Sequence, residues 1–351
     1  MSDGLDRLTA AYSFELPERL IAQQPATPRD ASRLLVLRRG EMEHRGFRDL
    51  PEYLREGDVL VLNETRVIAA RVFGTRPSGG RVELLLLRPH HGRYDPSATQ
   101  WQALGKPGRR LQRGQRITFG ELGEAEIVGV HGDGVRDVEF ELRVPFEQFL
   151  ERAGRLPLPP YIHNESQEAQ ERYQTIFARE PGSVAAPTAS LHFTQDVFEA
   201  LREKGVQMVK LVLDVGLGTF RPMQGRRLDE HVMHSESFSI PQASVDAIAA
   251  AKREGRRVIA AGTTVVRALE GSAAKYGAPR AGADETDLFI TPGFRFRVVD
   301  AMITNFHLPQ STLMVLVSAL AGRETILRAY EEAVKREYRF FSFGDAMFIE
   351  P

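Results

Sequence analysis

Residues 256–271 read RRVIAAGTTVVRALEG, an apolar run that passes through a glycine into a helical pattern. VIAA (258–261) is an unbroken apolar run held between Arg257 and Gly262, the pattern of a strand buried on both faces. After Gly262 the apolar spacing becomes helical from Thr263 onward. The same alternation extends to both sides. TQDVFEALREKG (194–205) predicts a helix with Thr194 as N-cap and Gly205 as its stop, followed by the buried strand VQMVKLVLDV (206–215). SVDAIAAAKREG (244–255) predicts a helix capped by Ser244. TDLFITP (286–292), FRVVDAMIT (296–304) and DAMFI (345–349) read as strands, and 311–322 and 323–338 as helices. Alternation of this kind predicts an α/β domain with a mainly parallel sheet, whose ligands lie outside the carboxyl ends of the strands.

Upstream the texture changes. Residues 59–152 hold short runs such as RVELLLLR (81–88), QRITFGE (115–121) and AEIVGVHGDG (125–134), many punctuated by Gly, Pro or Asp, which predict a small barrel or sandwich. DVLVLNET (58–65) is read as the first of these runs. The charge of this segment is lopsided. Eleven basic residues from Arg66 to Arg116 face only Glu83 and Asp95, while nine acidic residues from Glu121 to Glu151 face only Arg136 and Arg143. The reading is either two solvated faces or a basic part that meets a phosphate backbone. Residues 1–58 carry a strand ending at Gly40 and a short helix ending at Gly57. Residues 153–188 form a long proline-marked connector, expected to be mobile in the free protein and to close over a bound substrate. Two domains follow: a discontinuous α/β domain over 1–58 and 153–351, and an all-β domain over 59–152.

The 351-residue chain contains no cysteine, which excludes disulfides, thiolate zinc sites, a catalytic cysteine and cysteine-ligated iron–sulfur clusters. A formal net charge of −1 requires any nucleic-acid partner to be met by a local patch. No signal peptide and no apolar run long enough for a bilayer are visible, so a cytoplasmic protein without membrane contact is expected. No interface pattern is evident, and a monomer is expected.

Four stretches carry side chains suited to chemistry. AAGTTVVRALE (260–270) sets Thr263 and Thr264 at a helix N-terminus, where free amides receive an anion, with Arg267 a turn on. LDVGLGTFRP (213–222) puts Gly216 and Gly218 just past a strand, where backbone can approach a flat ligand. DEHVMHSESF (229–238) groups His231, His234 and Glu236, read either as proton-transfer groups or as metal ligands. TNFHLPQST (304–312) places Asn305 and His307 at a strand's carboxyl end, with Ser311 or Thr312 as a helix cap. His192, next to the Thr194 cap, joins the histidine candidates.

Together DASRLLVL (30–37), GDVLVLNETRVIAARVFG (57–74), AAPTASLHFT (185–194), GLGTFRP (216–222), HVMHSE (231–236), AAGTTVVRALE (260–270), TDLFITPGFRF (286–296), VDAMITNFHLPQSTLMVLVSALAG (299–322) and YRFFSFGDAMFI (338–349) resemble the S-adenosylmethionine:tRNA ribosyltransferase-isomerase family, in order and over 14–349. The resemblance implies an α/β domain with an inserted small β-barrel. It also implies transfer of the ribosyl part of S-adenosylmethionine to the aminomethyl group of a 7-deazaguanine at the tRNA wobble position. Isomerisation then gives epoxyqueuosine, with release of adenine and methionine. S-adenosylmethionine is a co-substrate, and no cofactor or metal is implied. The sequence departs from the family pattern where Asp214 stands in place of a common His, so Asp214 is given no catalytic role.

Polar chemistry on a sulfonium calls for groups titrating near neutrality, which makes His192, His231, His234 and His307 the catalytic candidates. Asn305, Gly216, Gly218, Thr263, Thr264 and Arg267 are candidates for holding the small substrate. Arg66 and Arg71 are candidates for RNA phosphate, and Tyr161 for stacking an extruded base. A metal-dependent hydrolase built on His231, His234 and Glu236, or an RNA-binding protein without activity, are the alternatives.

Overall fold

The computed structural model describes residues 2–90, 92–132, 134–164, 166–216, 223 and 225–351. Gly218 lies outside the described residues. In chain order the strands are β1 (Arg33–Arg38), β2 (Glu41–Gly46), β3 (Val59–Asn63), β4 (Thr65–Val67), β5 (Arg71–Thr75), β6 (Arg81–Pro89), β7 (Gln100–Lys106), β8 (Arg116–Thr118), β9 (Gly123–Val130), β10 (Val135–Leu142), β11 (Gly154–Arg155), β12 (Glu180–Ser183), β13 (Gln207–Leu213), β14 (Glu236–Ile240), β15 (Val258–Ala261), β16 (Gly282–Thr286), β17 (Ala301–Asn305) and β18 (Ala346–Glu350).

Nine of them form one sheet in the order β16-β14-β13-β3-β15-β17-β18-β1-β2. This sheet is mixed, which corrects the expectation of a mainly parallel one. The centre β13-β3-β15-β17 is parallel, as is β18 on β1. The pairs β16–β14, β14–β13, β17–β18 and β1–β2 are antiparallel. The cause at one edge is local. Arg39 (φ 50°) and Gly40 (φ 82°) both take positive φ, which makes a two-residue hairpin turn and forces β2 back against β1. The alternating burial of β2 suits such an edge.

The run DVLVLNET, grouped by texture with the all-β segment, is a further correction. β3 is buried at every position and runs between β13 and β15 in the large sheet. TDLFITP is corrected as well, since the strand there is the preceding GADET. Ser244 does not cap its helix, which begins at Gln242 after Pro241; its hydroxyl donates to the Lys210 carbonyl at 2.6 Å.

Alternate residues of the central strands face opposite layers. Val59, Val61, Val258, Ala260 and Met302 pack under helices Thr263–Tyr276, Thr312–Ala321 and Arg323–Lys335. Leu60, Leu62, Ile259, Ala261 and Ile303 pack under Phe193, Phe198 and Leu201 of the Gln195–Glu203 helix region. Thr194 caps that helix by accepting from the Val197 N–H at 3.3 Å.

Strands β5-β6-β7-β10-β9-β8 form an antiparallel barrel that closes through Thr75 opposite Thr118. Gly74 permits the closure, because a Cβ there would lie 2.6 Å from Ile117 Cγ2. Trp101, Phe140, Phe146 and Phe149 fill the interior, two of them from the helix Phe146–Ala153.

The connector over 153–188 is packed onto the α/β body. Leu158, Ile162, Ala169 and Tyr173 form a cluster with Leu191 and Phe343. Tyr173 is fully buried. Tyr161 lies against Phe341 with centroids 4.4 Å apart and is hydrogen-bonded to Ser342 at 2.5 Å. Among the described residues no helix is long and apolar enough to cross a membrane.

Candidate active site

A cleft of about 400 Å³ lies between the barrel and the end of β13. One wall comes from the barrel: Arg88, Arg93, Tyr94, Gln102 and His131. The other comes from the α/β body: Asp214, Gly216, His231, His234, Glu236 and Arg267. The chain turns out of β13 after Leu213, so Asp214 and Gly216 fall at the carboxyl end of that strand, the position where an α/β sheet receives ligands.

Asp214 anchors the wall. Its carboxylate accepts from Arg93 Nε at 3.0 Å, across the gap to the barrel, and from Thr65 Oγ1 at 3.3 Å. Burial pushes its pKa up, and Arg93 opposes that shift. Beside it, Arg267 reaches out of its helix to pair with Glu236. Its remaining nitrogens donate to the carbonyls of Leu288 (3.4 Å), Thr286 (3.4 Å) and His234 (3.5 Å). Glu236 also accepts from the Gly216 N–H at 3.3 Å. Arg267 therefore ties the histidine segment, the glycine turn and β16 together. A buried charge pair in which each guanidinium nitrogen has a partner is a strut, and Glu236 is committed to it.

His231 is half-buried and packs edge-on to Phe289, with centroids 5.5 Å apart. Burial holds its pKa below the ordinary imidazole value, and the neighbouring His234 lowers it further. His234 is exposed at the mouth of the cleft. The pair combines an imidazole kept neutral with one open to solvent.

The other sequence-derived candidates lie elsewhere. His192 is buried between Ser32 Oγ (2.8 Å from Nδ1) and Asn305 Nδ2 (3.1 Å from Nε2), and it stacks on Phe47. Burial pushes its pKa down to about 4. Since Asn305 donates to Nε2, the ring's proton sits on Nδ1 and is given to Ser32. Asn305 also donates to the Phe341 carbonyl (3.2 Å) and accepts from Thr188 Oγ1 (2.8 Å), which fixes the turn before His192 on β17. His307 Nε2 is 2.8 Å from Thr304 Oγ1, and burial pushes its pKa down to about 3. Ser311, not Thr312, caps the next helix, accepting from the Met314 N–H at 3.2 Å.

Thr263 and Thr264 are buried at their helix start and do not line the cleft; Asn63 Nδ2 lies 3.5 Å from Thr264 Oγ1. Arg66 is exposed on β4. Arg71 donates to the Leu158 carbonyl at 3.3 Å and faces Glu83 at 3.6 Å. Tyr161 is held by Ser342 and Phe341, so its ring is not presented to a base. Sequence reasoning missed the barrel wall. Arg93, Tyr94 and His131 sit in connections with no motif of their own, and only the basic excess over 66–116 pointed to that side.

The comparisons with known proteins agree over almost the whole chain. The model of a family described as "Queuosine biosynthesis protein" matches residues 9–349. The S-adenosylmethionine:tRNA ribosyltransferase-isomerase of Symbiobacterium thermophilum is 52% identical over 342 residues, covering 96% of this chain and 98% of the relative. That of Gloeobacter violaceus is 51% identical over 350 residues, covering 99% and 97%. Among solved structures, the S-adenosylmethionine tRNA ribosyltransferase of Thermotoga maritima is similar with a TM-score of 0.55 and 38% identity, covering 97% of this chain and 99% of that one. With a family model spanning nearly every residue and relatives sharing about half of them end to end, the chain belongs to the queuosine biosynthesis family of S-adenosylmethionine:tRNA ribosyltransferase-isomerases.

Proposed function

We propose that the chain transfers the ribosyl moiety of S-adenosylmethionine to the aminomethyl group of the 7-deazaguanine at the tRNA wobble position. It isomerises that moiety to the epoxycyclopentanediol of epoxyqueuosine, releasing adenine and methionine. The observation that carries this reading is a cleft between barrel and sheet, lined by His131, His231 and His234 and by the carboxylates of Asp214 and Glu236, in a chain of this family.

The sulfonium of S-adenosylmethionine acidifies the adjacent C5′ hydrogens, so the first requirement is a neutral base. His231 fits it, because burial and His234 both keep its imidazole unprotonated near neutrality. The departing adenine leaves more readily when protonated, and that delivery is assigned to the exposed His234, three residues from His231 in the same cleft. Arg267 holds this pair in place through the His234 carbonyl and Glu236, as a positioning residue. Gly216 leaves backbone open to a flat ring at the cleft floor. Arg66 on the exposed side of β4 is positioned to meet RNA phosphate. The target base must leave its stack to meet the sulfonium.

The division of labour is part of the proposal: residues 1–58 and 153–351 form the α/β domain and 59–152 the barrel domain, with β3 given to the former. The chain works as a cytoplasmic monomer. The test is incubation with precursor tRNA and S-adenosylmethionine. One adenine and one methionine are expected for each epoxyqueuosine formed; tRNA binding with no adenine release would leave an RNA-binding protein without activity.

A further inference from the structure

A second concavity lies on the barrel, away from the cleft. It is lined by Arg71, Phe73, Arg81, Glu83, Lys106 and Arg155, among others. The guanidinium of Arg81 lies over the Phe73 ring at 4.5 Å from its centroid, and that of Arg155 over the same ring at 5.4 Å. Arg81, Lys106 and Arg155 are exposed, and among the described residues none of the three is in an ion pair. The one carboxylate of the groove, Glu83, faces Arg71 at 3.6 Å. Two guanidinium groups on one ring beside a lysine, against the single carboxylate of Glu83 that already faces Arg71, leave the groove with an excess of positive charge that an anion would offset. Stacking on Phe73 also fixes the two long stems, so little side-chain entropy remains to be lost when the anion binds.

The position of the groove identifies the anion. Glu83, Leu85 and Leu87 of β6 and Gln102, Leu104 and Lys106 of β7 point outward, while Val82, Leu84, Leu86, Trp101 and Ala103 fill the barrel. Pairing sets Glu83 opposite Lys106 at one end of this outer face and Arg88 opposite Gln102 at the other. The first pair lines the groove and the second lines the active-site cleft. The two sites thus share one hairpin surface, five residues apart along β6, or roughly 17 Å at the usual strand rise. A few nucleotides of extended strand cover that span.

We propose that the Arg81–Lys106–Arg155 groove binds the tRNA sugar-phosphate backbone a few nucleotides from the base held in the cleft. The inference rests on the proposed function for the identity of the RNA. The groove contributes affinity and register without reading sequence, since its donors are one ammonium and two stacked guanidinium forks, groups that suit phosphate. The experiment is binding of precursor tRNA across a series of salt concentrations, read by fluorescence anisotropy. It compares the full chain, the triple variant Arg81→Ala, Lys106→Ala, Arg155→Ala, the single reversal Lys106→Glu, and Arg253→Ala. The triple variant is expected to bind about tenfold more weakly, with a log–log salt slope shallower by about 2, the loss for three contacts to single strand. Lys106→Glu, at an exposed position at the end of β7, is expected to weaken binding too. Arg253→Ala, on a distant helix end, is expected to change neither quantity. Unchanged affinity and slope in both groove variants would overturn the proposal, as would an equal loss in Arg253→Ala. Because binding is read without turnover, a chain that binds through the groove yet releases no adenine would overturn the functional reading and leave the groove standing.

Discussion

The histidines divide by environment, and the division has a consequence for stability. His192 and His307 are buried and held neutral, with pKa values pushed down to about 4 and about 3 from an unfolded value near 6.5. The unfolded chain therefore binds more protons than the folded one below pH 6.5. Stability is fully present above that pH and falls as pH drops towards these lower values, by up to about 1.4 kcal/mol per pH unit for each histidine. Urea midpoints measured from pH 7 to pH 4 are expected to fall on this account, and His307→Gln to flatten the fall. A midpoint insensitive to pH in this range would mean that both rings charge in place. From the sequence, four histidines were equal candidates. Only two reach the cleft, because what separates them is the burial of His192 and His307 and their hydrogen-bond partners Ser32, Asn305 and Thr304. These partners come from distant parts of the chain or from a strand end whose orientation no spacing rule reveals.

At the scale of elements, the sequence spoke most clearly where one pattern ran long enough. The strand–turn–helix of 256–271 and the capped helix after Thr194 stand as read. The failures are instructive. β3 reads like its neighbours in the all-β segment, yet both its faces are covered, and continuous burial is a property of its place in the sheet. The connector over 153–188 reads as mobile because of its prolines and irregular polarity. Its few apolar residues nevertheless reach a common cluster with Phe343, and Tyr173 is fully buried. Hydrogen exchange on the free chain is expected to find the amides of Ile162 and Tyr173 protected, each already bonded to a carbonyl three residues back. Rapid exchange at both without substrate would restore the mobile strap.

At the scale of the molecule, the candidate active site is made by apposition. The barrel supplies Arg93, Tyr94 and His131, the mixed sheet supplies Asp214 and Gly216, and the segment 231–236 closes the side. Arg93 and Asp214 join the two halves directly. The family resemblance could be read along the chain because its motifs are local, whereas the facing of barrel against sheet is legible only in the fold. The chemistry proposed for this cleft turns on His231 and His234. Single-turnover adenine release, with precursor tRNA and S-adenosylmethionine, tests it in the variant carrying His231→Ala and His234→Ala. The expected result is release slower by about 10²–10⁴-fold, the usual effect of removing general acid–base groups, from a protein whose melting is unaltered. Release at the unsubstituted rate from that folded variant would place the chemistry elsewhere.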